Sequence, residues 1–133
     1  MPKEEDAYRA LAAYRLEQAE QCLRTAEVVL QIGDYKAAAN RSYYSIFHSM
    51  RAVLATRGMD ARKHSGIISI FRREFIKTGC FDVKFSGVIG RAFDLRGQSD
   101  YDDFYVIAKA DVVEQLQDAA EFLKAAKDFL ELS

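Results

Sequence analysis

Residues 34–57, DYKAAANRSYYSIFHSMRAVLATR, contain neither proline nor glycine and follow Gly33 directly. Gly33-Asp34 reads as a helix stop followed by an N-cap residue, so one long helix is expected from Asp34 to Arg57. At 3.6 residues per turn this helix carries three seams. Ala39, Tyr43, Ile46, Met50 and Val53 form an apolar one, flanked by Phe47 and Leu54. Ala38, Ser42, Ser45, Ser49 and Ala52 form a seam of small residues that another backbone can approach closely. Arg41, Tyr44, His48 and Arg51, at i, i+3, i+7 and i+10, form a polar stripe beside it. An ordinary surface helix needs only one apolar face. A helix that is apolar on one side and small on another is expected to be covered on both, with its polar stripe in a groove.

The only proline is Pro2, so nothing interrupts the periodicity on either side. Ala12, Leu16, Ala19, Leu23, Ala26 and Leu30 recur at spacings of four and three. They predict a first helix from about Glu4 to Ile32, antiparallel to the second. His64 to Lys77 has Ile67, Ile68, Phe71 and Phe75 at helical spacing and ends before Gly79. A fourth segment, capped by Asp82, holds Phe85, Val88, Ile89, Ala92, Phe93 and Leu95, with Gly87 and Gly90 inside it. A tight helix crossing is expected to offset those two glycines. Residues 97–107, GQSDYDDFYVI, read as a loop dense in acids and aromatics. A last helix is expected from about Ala108 to Leu132. Its alternation of large and alanine positions repeats that of the first helix, and two such seams can pack closely. No stretch has strand periodicity or a hairpin dipeptide. The expectation is a single all-α domain over residues 1–133: an up-and-down bundle of four main helices with one short extra helical segment.

Composition narrows the function classes. Half of the 133 residues are hydrophobic, but no run approaches the ~20 apolar residues that cross a bilayer. The first residues, MPKEEDAYRA, lack the apolar core of a signal peptide. Cys22 and Cys80 have no metal-type spacing and read as reduced thiols, which favours a cytoplasmic protein. The net charge of −1 hides an uneven distribution, with residues 56–93 at +5 and residues 94–133 at −6. A basic middle can touch a nucleic-acid backbone. It can equally pair with the acidic C-terminal third.

Phosphate-binding glycine loops, CxxC pairs, HExxH and the Gly-x-Ser-x-Gly elbow are all missing. With His48 and His64 alone, a multi-histidine metal site is excluded, and neither a metal nor a cofactor is expected. What remains is chemistry by Arg, His, Tyr and Asp. Arg41, Tyr44, His48 and Arg51 are the first candidates. Arginine holds phosphate, histidine shuttles protons near neutral pH, and tyrosine stacks on a base. The alternative is that Arg41 pairs with an acid of the DYDD segment while His48 is a satisfied interior histidine. Arg96, Asp100, Tyr101, Asp102 and Asp103 form a second cluster. Its acids can bind a cation or act as bases, or they can cap a turn and neutralise arginines of the second helix. Lys63 and His64 begin the third helix, where a packing or capping role competes with a binding one.

Taken together, NRSYYSIFHSMRAVLATRG, KHSGIISIFRREFIKTG and LRGQSDYDD resemble the small stand-alone HEPN domains of bacteria and archaea, over roughly Tyr8 to Leu130. HEPN stands for higher eukaryote and prokaryote nucleotide-binding. The resemblance implies an all-α bundle that commonly forms a homodimer. It also implies a minimal nucleotidyltransferase partner in a toxin–antitoxin or related defence module. Active members are metal-independent ribonucleases with an Arg-x4–6-His motif near the C-terminal end of the bundle. Here the matching segment starts at Arg96, reads RGQSDYD and holds no histidine. Arg41 to His48 fits Arg-x6-His in letters, but on the second helix. The expectation is therefore a binding and interaction module for nucleotide or RNA. Its candidate residues are Arg41, Tyr44, His48, Arg51, Lys63, His64, Arg96, Asp100, Tyr101 and Asp102, with Asp100 or Asp102 paired to Arg41 or Arg51. A metal-independent ribonuclease using Arg41, His48 or His64 with Arg96 is the alternative, and a purely structural bundle is the third reading.

Overall fold

The computed structural model describes residues 2–101 and 103–132. Five α-helices follow in order: α1 (Pro2–Gln31), α2 (Tyr35–Ala55), α3 (His64–Phe71), α4 (Lys84–Tyr101) and α5 (Lys109–Leu132). A π turn, Arg72–Ile76, extends α3. The described residues contain no strand, in agreement with the all-α expectation.

Local signals act as the residue types demand. Gly33 adopts φ +81° and stops α1. Asp34 then caps α2, its carboxylate accepting from the Ala37 N–H at 3.1 Å. Gly58, at φ +67°, closes the turn after α2. The Tyr8 ring lies over it, so close that a Cβ there would stand 2.6 Å from the ring.

α2 is the centre of the bundle, packed by α1 along most of its length and by α5 and α4 on other sides. Every residue of its apolar and small seams is buried. α1 therefore spends its large-and-alanine seam mainly on α2, and its contact with α5 is the smaller one. Below α2 lies a phenylalanine cluster of Phe71, Phe75, Phe81, Phe85 and Phe122, all at most 5% exposed. Each such side chain taken out of water contributes about 1.5–3 kcal/mol before entropy is counted. A second apolar cluster, with Ala26, Ala38, Val112 and Leu116, closes the end where α1 turns into α2.

Three expectations need correction. The segment 97–107 is not all loop, because α4 runs on to Tyr101. Arg96 and Asp100, one turn apart, pair along that helix and Ser99 is buried beneath it, so the acidic residues extend α4 rather than break it. α3 loses its α-helical ladder at Phe71, and Arg72–Ile76 wind wider. Finally, the glycines of α4 make room for side chains, not for a helix crossing. A Cβ at Gly90 would stand 3.1 Å from a guanidinium nitrogen of Arg72, and one at Gly87 would stand 3.0 Å from Arg91.

Candidate functional site

The polar stripe of α2 is half-buried, with the start of α3 and the second half of α4 packed beside it, and the space they edge is called the cleft below. Tyr44 is the platform. The Arg41 guanidinium lies 5.1 Å from its ring centroid and that of Arg96 lies 5.5 Å away. Arg96 also donates to the Tyr44 hydroxyl at 3.2 Å, and it sits 5.3 Å from the ring of Tyr43. Its Nε approaches Asp100 Oδ2 to 2.9 Å, an ion pair whose angle falls short of a hydrogen bond. A guanidinium between two phenol rings is held flat, with part of its donor fork left for an anion.

Two imidazoles complete the cleft. His64 stacks on Phe47 at 4.1 Å between centroids and meets the Tyr44 ring edge-on at 5.8 Å. Its Nδ1 shares a 2.7 Å hydrogen bond with the Tyr43 hydroxyl. Tyr43 is fully buried, and burial pushes its phenol well above the usual range. Tyr43 therefore stays a neutral phenol at neutral pH, and its hydrogen bond with Nδ1 fixes the ring and leaves Nε2 outside that link. His48, one turn beyond Tyr44, has its ring 6.0 Å from it. Its Nδ1 is buried without a hydrogen-bond partner, so His48 is not the satisfied interior histidine of the alternative reading. Both imidazoles titrate below their ordinary value. Burial is the main cause for each, followed by Arg51, Arg41 and Arg15 around His48 and by Arg96 and Arg51 around His64. Each is thus held as a neutral base in a field of cations.

Asp60, on the loop after α2, organises the far end. It pairs with Arg51 at 3.1 Å and with the buried Arg15 of α1 at 3.3 Å. Partial burial acts to raise its carboxyl, but the Ala61 N–H and the two arginines outweigh that and hold it low. Arg15 also donates to the Arg51 carbonyl at 3.2 Å. The Nε of Arg51 stays buried and unpartnered.

The structure thus brings Arg41, Tyr44, His48, Arg51, His64, Arg96 and Asp100 together. It does not bring in Lys63, which is exposed and makes no side-chain cap bond. Nor does it bring in Tyr101, 86% exposed at the end of α4. Asp102 lies outside the described residues. The pairing of Asp100 with Arg41 or Arg51 is not found: Asp100 takes Arg96, Asp60 takes Arg51, and Arg41 donates to the Asn40 side-chain oxygen Oδ1 at 2.9 and 2.7 Å. The i,i+4 spacing on one helix sets the first pair, since it needs no long-range reach. Sequence reasoning missed Arg15, Asp60 and the Tyr43 hydroxyl. Tyr43 sits in the apolar seam, and only its partner at the head of α3 reveals that its polar tip is used. Among the described residues no group of three metal-ligating side chains stands together, and no helix is long and apolar enough to cross a membrane.

A helical bundle with an Arg/His/Tyr cluster beside its central helix is the class that fold and site define. The comparisons agree: the family model of the HEPN domain matches residues 12–132, and the chain belongs to that family. It is 35% identical over 115 residues to a Methanocaldococcus jannaschii protein named "Putative toxin MJ0142", covering 86% of this chain and 78% of the relative. A UPF0332 protein of Thermotoga maritima is 31% identical over 118 residues, 89% of either chain. Another UPF0332 protein, from Archaeoglobus fulgidus, is 32% identical over 114 residues, with 86% and 90% covered.

Proposed function

We propose that this chain is a nucleotide- and RNA-binding HEPN module. On this reading it works in the cytoplasm as a C2 homodimer, beside a minimal nucleotidyltransferase, in a toxin–antitoxin-like or defence system. The observation that carries the binding reading is the placement of Arg96 and Arg41 against the Tyr44 ring, beside two imidazoles held neutral by burial and by the arginines around them. Aromatic faces take bases and guanidinium forks take phosphate oxygens. The toxin name of one relative supports the system-level reading. The homodimer rests on the family resemblance, since α1, α4 and α5 already cover α2 within one chain.

One observation favours cleavage as a second reading. Arg96 and His64 share Tyr43, the first over its ring and the second on its hydroxyl, so the imidazole absent from the Arg96 segment is supplied from α3. In the tautomer whose Nδ1–H donates to the Tyr43 oxygen, His64 Nε2 would take the proton of a 2′-hydroxyl. The 2′-oxygen would then attack the adjacent phosphorus, and the 5′-oxygen would leave, taking that proton back from the His64 imidazolium. Arg96 would steady the charge on the phosphorane.

The test is incubation of the purified protein with mixed RNA in EDTA, beside Arg41→Ala, His48→Ala, His64→Ala and Arg96→Ala. The binding module predicts salt-sensitive RNA binding lost in Arg96→Ala and Arg41→Ala, with little or no cleavage. Cleavage by the wild type that disappears in His64→Ala establishes the second reading instead. Absence of RNA and nucleotide binding at low salt overturns the first. Light scattering should give twice the mass of one chain at tens of micromolar, and a monomer there counts against the homodimer.

A further inference from the structure

The basic stretch of residues 56–93 divides in the fold. Lys84 pairs with Glu121 of α5, and Arg91 stands 3.7 Å from Asp118 of the same helix, so part of the positive middle is spent on the acidic C-terminal third. Arg72, Arg73 and Lys77 are not spent that way. They line a groove of about 600 Å³ between α3 with its π turn and the start of α4. Arg73 is 62% exposed in its side chain, and its ion pair is with the adjacent Glu74 at 3.4 Å. Lys77 has no ion pair among the described residues. Arg72 donates to the Ser86 carbonyl at 2.9 Å, while its Nε is buried without a partner.

Two backbone features assemble this groove. In an α-helix, residues five apart point about 140° away from each other. The π turn closes instead through the Lys77 N–H onto the Arg72 carbonyl at 2.9 Å, which winds wider and brings Arg72 and Lys77 back toward one side. Gly90 leaves α4 open where the Arg72 guanidinium lies. The groove has an apolar side as well, with Ile76 and the partly exposed Phe93. Phe93 also joins it to the cleft, for its ring is 6.2 Å from that of Tyr43. Ser65, next to His64, lines the same end.

We infer that this groove holds the sugar–phosphate backbone of single-stranded RNA extending from the central cleft, with Phe93 as a stacking surface. The inference rests on the reading of that cleft as an RNA site. Separate cations along an apolar, aromatic-floored channel match a strand that offers one charge and one flat base per nucleotide. An acidic peptide would supply the charges without bases for Phe93.

The test compares single-stranded RNAs of about four and about twelve nucleotides, binding to the wild type and to the Arg73→Ala, Lys77→Ala double variant. Both side chains are exposed, so the fold is not at stake. We expect the longer RNA to bind the wild type at least about tenfold more tightly, and the variant to lose that advantage while binding the short RNA as before. The slope of log Kobs against log salt for the longer RNA should fall in magnitude by about 1.4, the loss of two phosphate contacts. Polyglutamate of matched charge should not displace the longer RNA. Equal binding of both lengths by the wild type, a length advantage kept in the variant, or displacement by polyglutamate overturns this proposal alone. No binding of either RNA overturns it together with the reading beneath it.

Discussion

Ser42, Ser45 and Ser49 run down one side of α2, and Tyr44, His48 and Arg51 run down another, one or two residues out of step. Both rows are polar, the first buried and the second half-buried, and they meet burial differently. Ser42 and Ser49 donate to the carbonyls of Ala38 and Ser45 one turn back, at 2.7 and 2.8 Å. Gln115 of α5 then completes that side, donating to Ser42 Oγ at 2.7 Å and to the Ala39 carbonyl at 2.9 Å. A hydroxyl is short enough to be satisfied by its own helix, so at Ser42 and Ser49 the row closes like a core. The other row cannot close that way. Imidazole and guanidinium reach beyond their own backbone, and His48 Nδ1 and Arg51 Nε are left buried without partners. Buried polar atoms without partners are rare because each costs about 1–3 kcal/mol. They mark the side of α2 that is shaped for something other than stability.

The comparison can be broken at four points. The largest effect belongs to the apolar seam of α2. Met50 is fully buried, and Met50→Ala should lose about 2–5 kcal/mol in urea unfolding. A loss no larger than that of a surface substitution would show that α2 is not the packed centre. Next comes Tyr43→Phe, which keeps the ring and removes the link to His64 Nδ1. It should cost about 0.5–1.5 kcal/mol, and NMR titration of His64 should shift. An unchanged titration would mean that the hydroxyl does not hold the imidazole.

The third point is pH. His48 and His64, the only histidines, titrate below their ordinary value of 6.5 when folded. The unfolded chain therefore binds protons first as pH falls. Stability should be full above about 6.5 and decline below it, toward the lower folded values. Burial and the surrounding Arg51, Arg41 and Arg15 lower His48, so His48→Gln should flatten that decline below about pH 6.5, as followed by urea midpoints. A steeper decline in the variant would reverse the assigned direction. The smallest effect tests the exception in the closed row. Ser45 Oγ is buried with no partner, so Ser45→Ala should range from neutral to about 1 kcal/mol more stable. A clear destabilisation would mean that Ser45 has a partner after all.

Much of this molecule was legible one residue at a time. Gly33 with Asp34, the seams of α2 and the glycine after α3 act where the sequence places them, because caps, left-handed turns and helical period are properties of short segments. The candidate stripe on α2 was legible for the same reason. Its partners were not. Arg96 was readable as a polar residue but not as the guanidinium between Tyr43 and Tyr44. Asp60 was one acid of a basic stretch until the turn after α2 carried it to Arg15 and Arg51.

The sequence by itself determined the helical class, the central helix, its three seams and membership of the family, since these follow from periodicity and from motifs in order. Only the tertiary structure decided which acid meets which arginine, that α4 continues through Asp100, and that Arg72 rather than a helix backbone fills the space at Gly90. Those outcomes depend on which residues far apart in the chain come within a few ångströms. A one-dimensional pattern of spacings holds distance along a helix, and it does not hold the rotation of one helix about another.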